Sequence, residues 1–62
     1  EAIHARLDVW ALPPAHRETV LLRDVFGHGL EEIARAFEQP LATVESWYRR
    51  GLEGLTAQSV AA

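Results

Sequence analysis

Apolar residues recur at helical spacing along nearly the whole chain. Ile3, Leu7 and Trp10 stand at i, i+4 and i+7, which predicts a short amphipathic helix over 1–12. Leu12-Pro13-Pro14 closes it. Pro14 or Ala15 can open a second helix, because the first helical positions need no amide donor. Val20, Leu21, Leu22, Val25 and Phe26 make this second segment, ending at Phe26, the most buried in expectation, with Arg17, Glu18, Arg23 and Asp24 on its wet side. Gly27-His28-Gly29 is a stop and a restart: one glycine takes the left-handed cap, the other stands before a third helix. That helix carries Leu30, Ile33, Ala34 and Phe37 on one stripe. Proline disfavours helix in the residue before it, so Glu38-Gln39-Pro40 is a turn. Leu41, Val44, Tyr48, Leu52 and Leu55 then line the inner side of a fourth helix. Residues 57–62 show no apolar period and are expected to be a frayed end or linker.

Ala34 lies ten residues before Val44. A small residue there lets the fourth helix cross the third closely, with Val44 packed into the angle. The expected architecture is all-α: a compact four-helix domain over residues 1–56 with a C-terminal helix-turn-helix, winged-helix-like but without the wing. No strand alternation, internal repeat or low-complexity block competes with it.

Sixty-two residues make one domain, near the lower limit for folding without a staple. Cysteine is absent, which excludes disulfides and thiolate zinc sites and fits a reducing cytosol. No apolar run approaches the roughly 18 residues of a membrane span. Neither is there a basic-then-apolar leader, so the expected location is cytoplasmic. The chain begins at Glu1, which predicts a piece of a longer protein. Nine acids against six bases give a net charge of −3, although phosphate binding is driven by cations. Every base is arginine, which favours bidentate or stacked contacts over diffuse charge and equally fits a compositional bias of the genome.

Leu12-Pro13-Pro14-Ala15-His16-Arg17-Glu18, then Leu21-Leu22-Arg23-Asp24-Val25-Phe26-Gly27, resemble the opening of region 4 of sigma factors. Glu31-Glu32-Ile33-Ala34 and Pro40-Leu41-Ala42-Thr43-Val44 continue that resemblance without a gap, from about Trp10 to Leu55. The group most resembled is the extracytoplasmic-function sigma factors of the sigma-70 family, whose last domain recognises the promoter −35 element. Response-regulator helix-turn-helix domains of the LuxR type share the EIA and TV pieces but usually lack the Leu-Pro-Pro entry. The resemblance implies double-stranded promoter DNA and the RNA polymerase core as partners, and an anti-sigma factor as a further one. It also carries departures. The family usually has glycine near Glu38 and a basic residue at Glu45. It is commonly basic around Trp47, Leu52 and Glu53, and has an apolar-serine pair where His28-Gly29 stands.

By that resemblance Glu45, Ser46, Arg49 and Arg50 contact bases and phosphates, with Thr43 near the helix start. Each residue type suits its role: arginine forks onto guanine O6 and N7, serine bonds a phosphate or base edge, and glutamate accepts from cytosine N4. From Leu41 to Leu55 two arginines offset two glutamates, so counterion release contributes little. A merely solvated helix face would look similar. Trp47 falls at the stripe's margin. It can pack on Trp10 or Val20 at the core edge, stack on a sugar or base, or join a protein interface. Glu31 and Glu32 suit the positive end of the third helix, and the resemblance puts Gly29, Leu30 and Glu31 near the phosphate backbone. A different class of reading keeps the scaffold but loses DNA: Glu45, Trp47 and Glu53 as the surface of a protein-interaction module that captures an anti-sigma factor.

Metal and catalytic readings are poorly supported. His4 and Asp8 are at i, i+4, but two ligands without a third make a poor site, and His16 and His28 lie on other elements. There is no Gly-rich phosphate loop and no readable acid, base and oxyanion set, so neither an enzyme nor a cofactor is expected.

Overall fold

The computed structural model describes the backbone from Val9 to Ala61 and side chains as far as Gln58. Among the described residues three α-helices form: α1 Pro14–Val20, α2 Leu30–Phe37 and α3 Leu41–Ala61. A 3₁₀ turn at Val9–Ala11 precedes α1, and a π-helical turn at Leu21–Val25 follows it. The first of the four expected helices is therefore not shown. Ile3, His4, Leu7 and Asp8 lie outside the described residues, and Val9–Ala11 is a single tight turn closed by Leu12 N–H to the Val9 carbonyl at 3.2 Å. Trp10, expected on that helix's apolar stripe, is 70% exposed, with the Arg17 guanidinium 5.0 Å over its ring.

Pro14 opens α1 as expected, after Pro13 in extended backbone whose carbonyl accepts from Arg17 N–H at 2.9 Å. Its inner side is Thr19 and Val20, with Leu12 just before it, all buried. The fully buried Thr19 hydroxyl donates to the Ala15 carbonyl at 2.8 Å, so no buried side-chain polar atom is stranded among the described residues. The single long helix ending at Phe26 is not what forms. At Leu21 the winding widens: Phe26 N–H reaches back five residues to the Leu21 carbonyl at 3.1 Å, and His28 N–H reaches the Leu22 carbonyl at 2.9 Å. Gly27, at φ +79°, makes that reversal possible. A wider turn rotates the side chains that follow it out of α1's register. Val25 and Phe26, expected in the core, are 67% and 66% exposed.

Gly29 starts α2 from extended backbone and has no side chain to cap it. Glu32 supplies the reciprocal half of a capping box, its carboxylate accepting from Gly29 N–H at 3.3 Å and from His28 Nδ1 at 3.0 Å. The helix ends in a complete Schellman motif: Gln39 N–H bonds the Ala34 carbonyl at 3.0 Å and Glu38 N–H bonds Arg35 at 3.2 Å. Glu38 takes the left-handed position there, at φ 56° and ψ 46°. Pro40 starts α3, accepting from Thr43 and Val44 N–H. The corner expected between Ala34 and Val44 forms: with Ile33 they make the core, flanked by Leu22, Leu30, Phe37, Leu41 and Trp47.

The inner face of α3 differs in detail from the expected stripe. Val44 is fully buried, but Leu52 is 37% exposed and its neighbour Gly51 is buried instead. Gly51 lies against Val20 and the His16 carbonyl, and Gly54 against Leu12. At Gly51, bare backbone lets α1 and α3 approach closely where a side chain would hold them apart. The helix also continues through residues 57–61, where a frayed end or linker is expected.

Candidate nucleic-acid interface

Helical spacing places Ala42, Ser46, Arg49 and Glu53 along the side of α3 opposite Val44 and Gly51. Glu45 stands on one flank of that outer strip, and Thr43 and Arg50 stand on the other. Glu45, Arg49, Arg50 and Glu53 are exposed, while Ser46 and Thr43 are half-buried. Ser46 Oγ accepts from Arg50 Nε at 3.4 Å, a long contact that leaves the outer nitrogens of the guanidinium available. Thus Thr43, Glu45, Ser46, Arg49 and Arg50 form one continuous surface on a single rigid helix. Arg49 and Glu45 have no charged partner among the described residues, where His28–Glu32 is the one ion pair.

The two remaining candidates are placed differently. Trp47 is half-buried against the helix-turn-helix core, its ring 6.3 Å from that of Phe37 and tilted by 53°. It sits at the core edge, with Phe37 of α2 as its ring partner. Glu31 is exposed in the first turn of α2 and lines an open crevice with Ala34, Arg35, Glu38, Gln39 and Leu41, between the two helices of the motif. It belongs to the other helix and is not part of the α3 strip.

Two contacts that sequence reasoning missed hold this surface in place. Tyr48, expected to point inward, donates its hydroxyl to Asp24 Oδ1 at 2.8 Å, tying α3 to the π turn. That hydrogen bond, then desolvation and the Asp24 charge, push the Tyr48 hydroxyl above its ordinary value. The second is the pair of glycine contacts; glycines three residues apart inside a helical pattern are the one available signal for them. At the start of α2 the hydrogen bond from His28, its charge and the Gly29 amide hold the Glu32 carboxyl below the usual carboxylate range. No three potential metal ligands come together among the described residues.

A small all-helical body that presents one polar helix face beside a buttressing helix is the arrangement of a DNA-reading helix-turn-helix. The family model for sigma-70, region 4, matches residues 11–60. The chain belongs to the sigma-70 region 4 family. It is thus a DNA-binding domain of the transcription machinery, of a family that is not one of enzymes. No curated protein and no solved structure matches it. Within the helix-turn-helix, α2 is the first helix and α3 the second. No helix among the described residues is long and apolar enough to cross a membrane.

Proposed function

We propose that this region 4 domain reads the −35 element of promoter DNA as the C-terminal domain of an extracytoplasmic-function sigma factor, in the cytoplasm. The observation that carries the reading is the exposure of Arg49 and Arg50 beside half-buried Ser46 on one strip of α3. Arg49 and Arg50 fork onto base edges or phosphates, Ser46 reaches a phosphate or base edge, and Glu45 selects for a cytosine amino group. Thr43 and the start of α2, with Glu31, stand closest to the backbone of the duplex.

The net charge of −3 is compatible with this role. A domain tethered to the RNA polymerase core gains a high local concentration of promoter, which substitutes for a basic surface. The isolated chain then binds DNA weakly and with a shallow salt dependence, since few phosphates are neutralised. A second reading, capture of an anti-sigma factor, draws support from Val25 and Phe26, adjacent and two-thirds exposed.

A duplex that the chain selects from a random pool at low salt tests the reading. The backbone amide signals of Ser46, Arg49 and Arg50 are expected to shift with that duplex and to shift less with a scrambled one. Equal responses to both duplexes overturn base-specific reading.

A further inference from the structure

Helix α3 is supported along one line and steered from its two sides. Val44 seats it on Ile33 and Ala34, Gly51 on Val20 and the His16 carbonyl, and Gly54 on Leu12. Two of these three contacts involve bare backbone of α3. No side chain of α3 interlocks there, so the contact fixes distance but resists rotation poorly.

Rotation is opposed by residues flanking that line: Leu41 and Trp47, packed against the core, and Tyr48. Trp47 meets Phe37 of α2 with its ring tilted by 53°, between the stacked and edge-to-face arrangements that aromatic pairs prefer. Tyr48 is held by a directional bond, 2.8 Å from its hydroxyl to Asp24, a residue 24 positions earlier. Asp24 is within reach because it belongs to the π turn, whose wider winding takes it out of the register α1 would impose. Arg49 and Arg50 are the next two residues of α3. A side chain about 5–6 Å from a helix axis moves about 2 Å for a 20° rotation, whereas a reading group must be held within about 0.5 Å.

We propose that Asp24 is a positioning residue for DNA reading: by anchoring the Tyr48 hydroxyl it sets the rotation of α3, and with it the directions of Ser46, Arg49 and Arg50. The inference rests on the reading of α3 as the promoter-facing helix. Asp24 contributes specificity although its charge opposes affinity, since at low salt a carboxylate anywhere on so small a domain repels phosphate. Removing the charge and removing the bond therefore have separable effects.

Three variants separate them, each compared with wild type on the selected duplex and on a scrambled one. Asp24→Asn removes the charge and keeps an oxygen acceptor for Tyr48. Asp24→Ala removes the charge and the acceptor, and Tyr48→Phe removes the bond alone. Asp24→Asn is expected to bind both duplexes more tightly with an unchanged ratio between them. Asp24→Ala and Tyr48→Phe are expected to lower that ratio about three- to tenfold, part of what one bidentate base contact provides. The salt slope of Tyr48→Phe stays at the wild-type value, because no phosphate contact is lost. Thermal melts confirm that each variant folds, and should Asp24→Ala not fold, Tyr48→Phe alone decides. Ratios in Tyr48→Phe and Asp24→Ala equal to those of wild type and Asp24→Asn overturn the proposal and leave the promoter reading intact. A wild-type chain with no preference between the duplexes overturns both, and shows this before any variant is compared.

Discussion

Gly51 lies so close beneath Val20 that a methyl group on it would collide with Val20 Cγ2 and stand 3.1 Å from the His16 carbonyl oxygen. Inside an exposed helix, alanine is favoured over glycine by about 0.8–1 kcal/mol. Here the collision outweighs that gain, because a main-chain carbonyl on α1 cannot step aside and overpacking typically costs about 1–3 kcal/mol. Gly51→Ala is expected to lower the unfolding free energy in urea by up to about 2 kcal/mol, the difference between those two effects. Gly54→Ala meets only the flexible end of Leu12, 2.6 Å away, and should be nearly neutral. Equal effects from the two substitutions would show that α1 and α3 are not in the close contact described.

The glycine contact also marks what periodicity can and cannot reveal. The corner of Ile33, Ala34 and Val44 was legible, because apolar residues at constant helical spacing and a proline between two stripes leave few alternatives. From the stripe of α3 it followed that Ser46, Arg49 and Arg50 point outward. The same stripe assigned Leu52 to the interior, since a hydropathy pattern gives glycine no weight, and the buried residue is Gly51. Val25 and Phe26 were misplaced for a related reason. The pattern assumes one winding from Pro14 to Phe26, and the π turn breaks it. Asp24 and Tyr48 belong to different elements 24 residues apart, and no local spacing brings them together.

Glu38 occupies a backbone conformation that suits glycine. At φ 56° a residue with a Cβ carries a cost of roughly 1–2 kcal/mol, and a carboxylate at the C-terminal end of α2 faces the negative end of the helix dipole. Glu38→Gly removes both penalties and adds some unfolded-chain entropy, for an expected net gain of about 0.5–1 kcal/mol. In a domain of this size, that raises the melting temperature by a few degrees, about 4–8 °C per kcal/mol. Glu38→Ala removes the charge and keeps the Cβ, so it should gain much less. If the two variants melt together, backbone strain at Glu38 is not what limits stability.

Glu32 gives the fold an acid limb. Its carboxyl is held below the ordinary value by His28 and the Gly29 amide, so it binds a proton less readily folded than unfolded. The stabilisation is present above the ordinary carboxylate value of about 4.5 and is lost as the pH falls through and below it. Glu32→Gln keeps an oxygen for the Gly29 N–H but has no charge to lose. Its melting temperature should therefore fall less steeply than that of wild type between about pH 5 and pH 3. Parallel pH curves would mean that the cap of α2 does not depend on ionised Glu32.

Arg50 and Glu45 bear most directly on how an acidic domain reads DNA. If Arg50 forks onto a guanine, Arg50→Ala weakens binding to the selected duplex by about 1–3 kcal/mol and relaxes preference at that base pair. Its effect on the scrambled duplex is smaller, because only general electrostatic attraction is lost there. Glu45→Arg changes the charge of the strip by two units, from acceptor to fork donor. It should strengthen binding to every duplex, steepen the salt dependence by about one to two units of slope, and shift the preferred base from cytosine toward guanine. Fluorescence anisotropy titrations at several salt concentrations measure all three. Unchanged affinity in Glu45→Arg would place that flank of α3 outside the groove, and the reading surface would then contract to Ser46, Arg49 and Arg50.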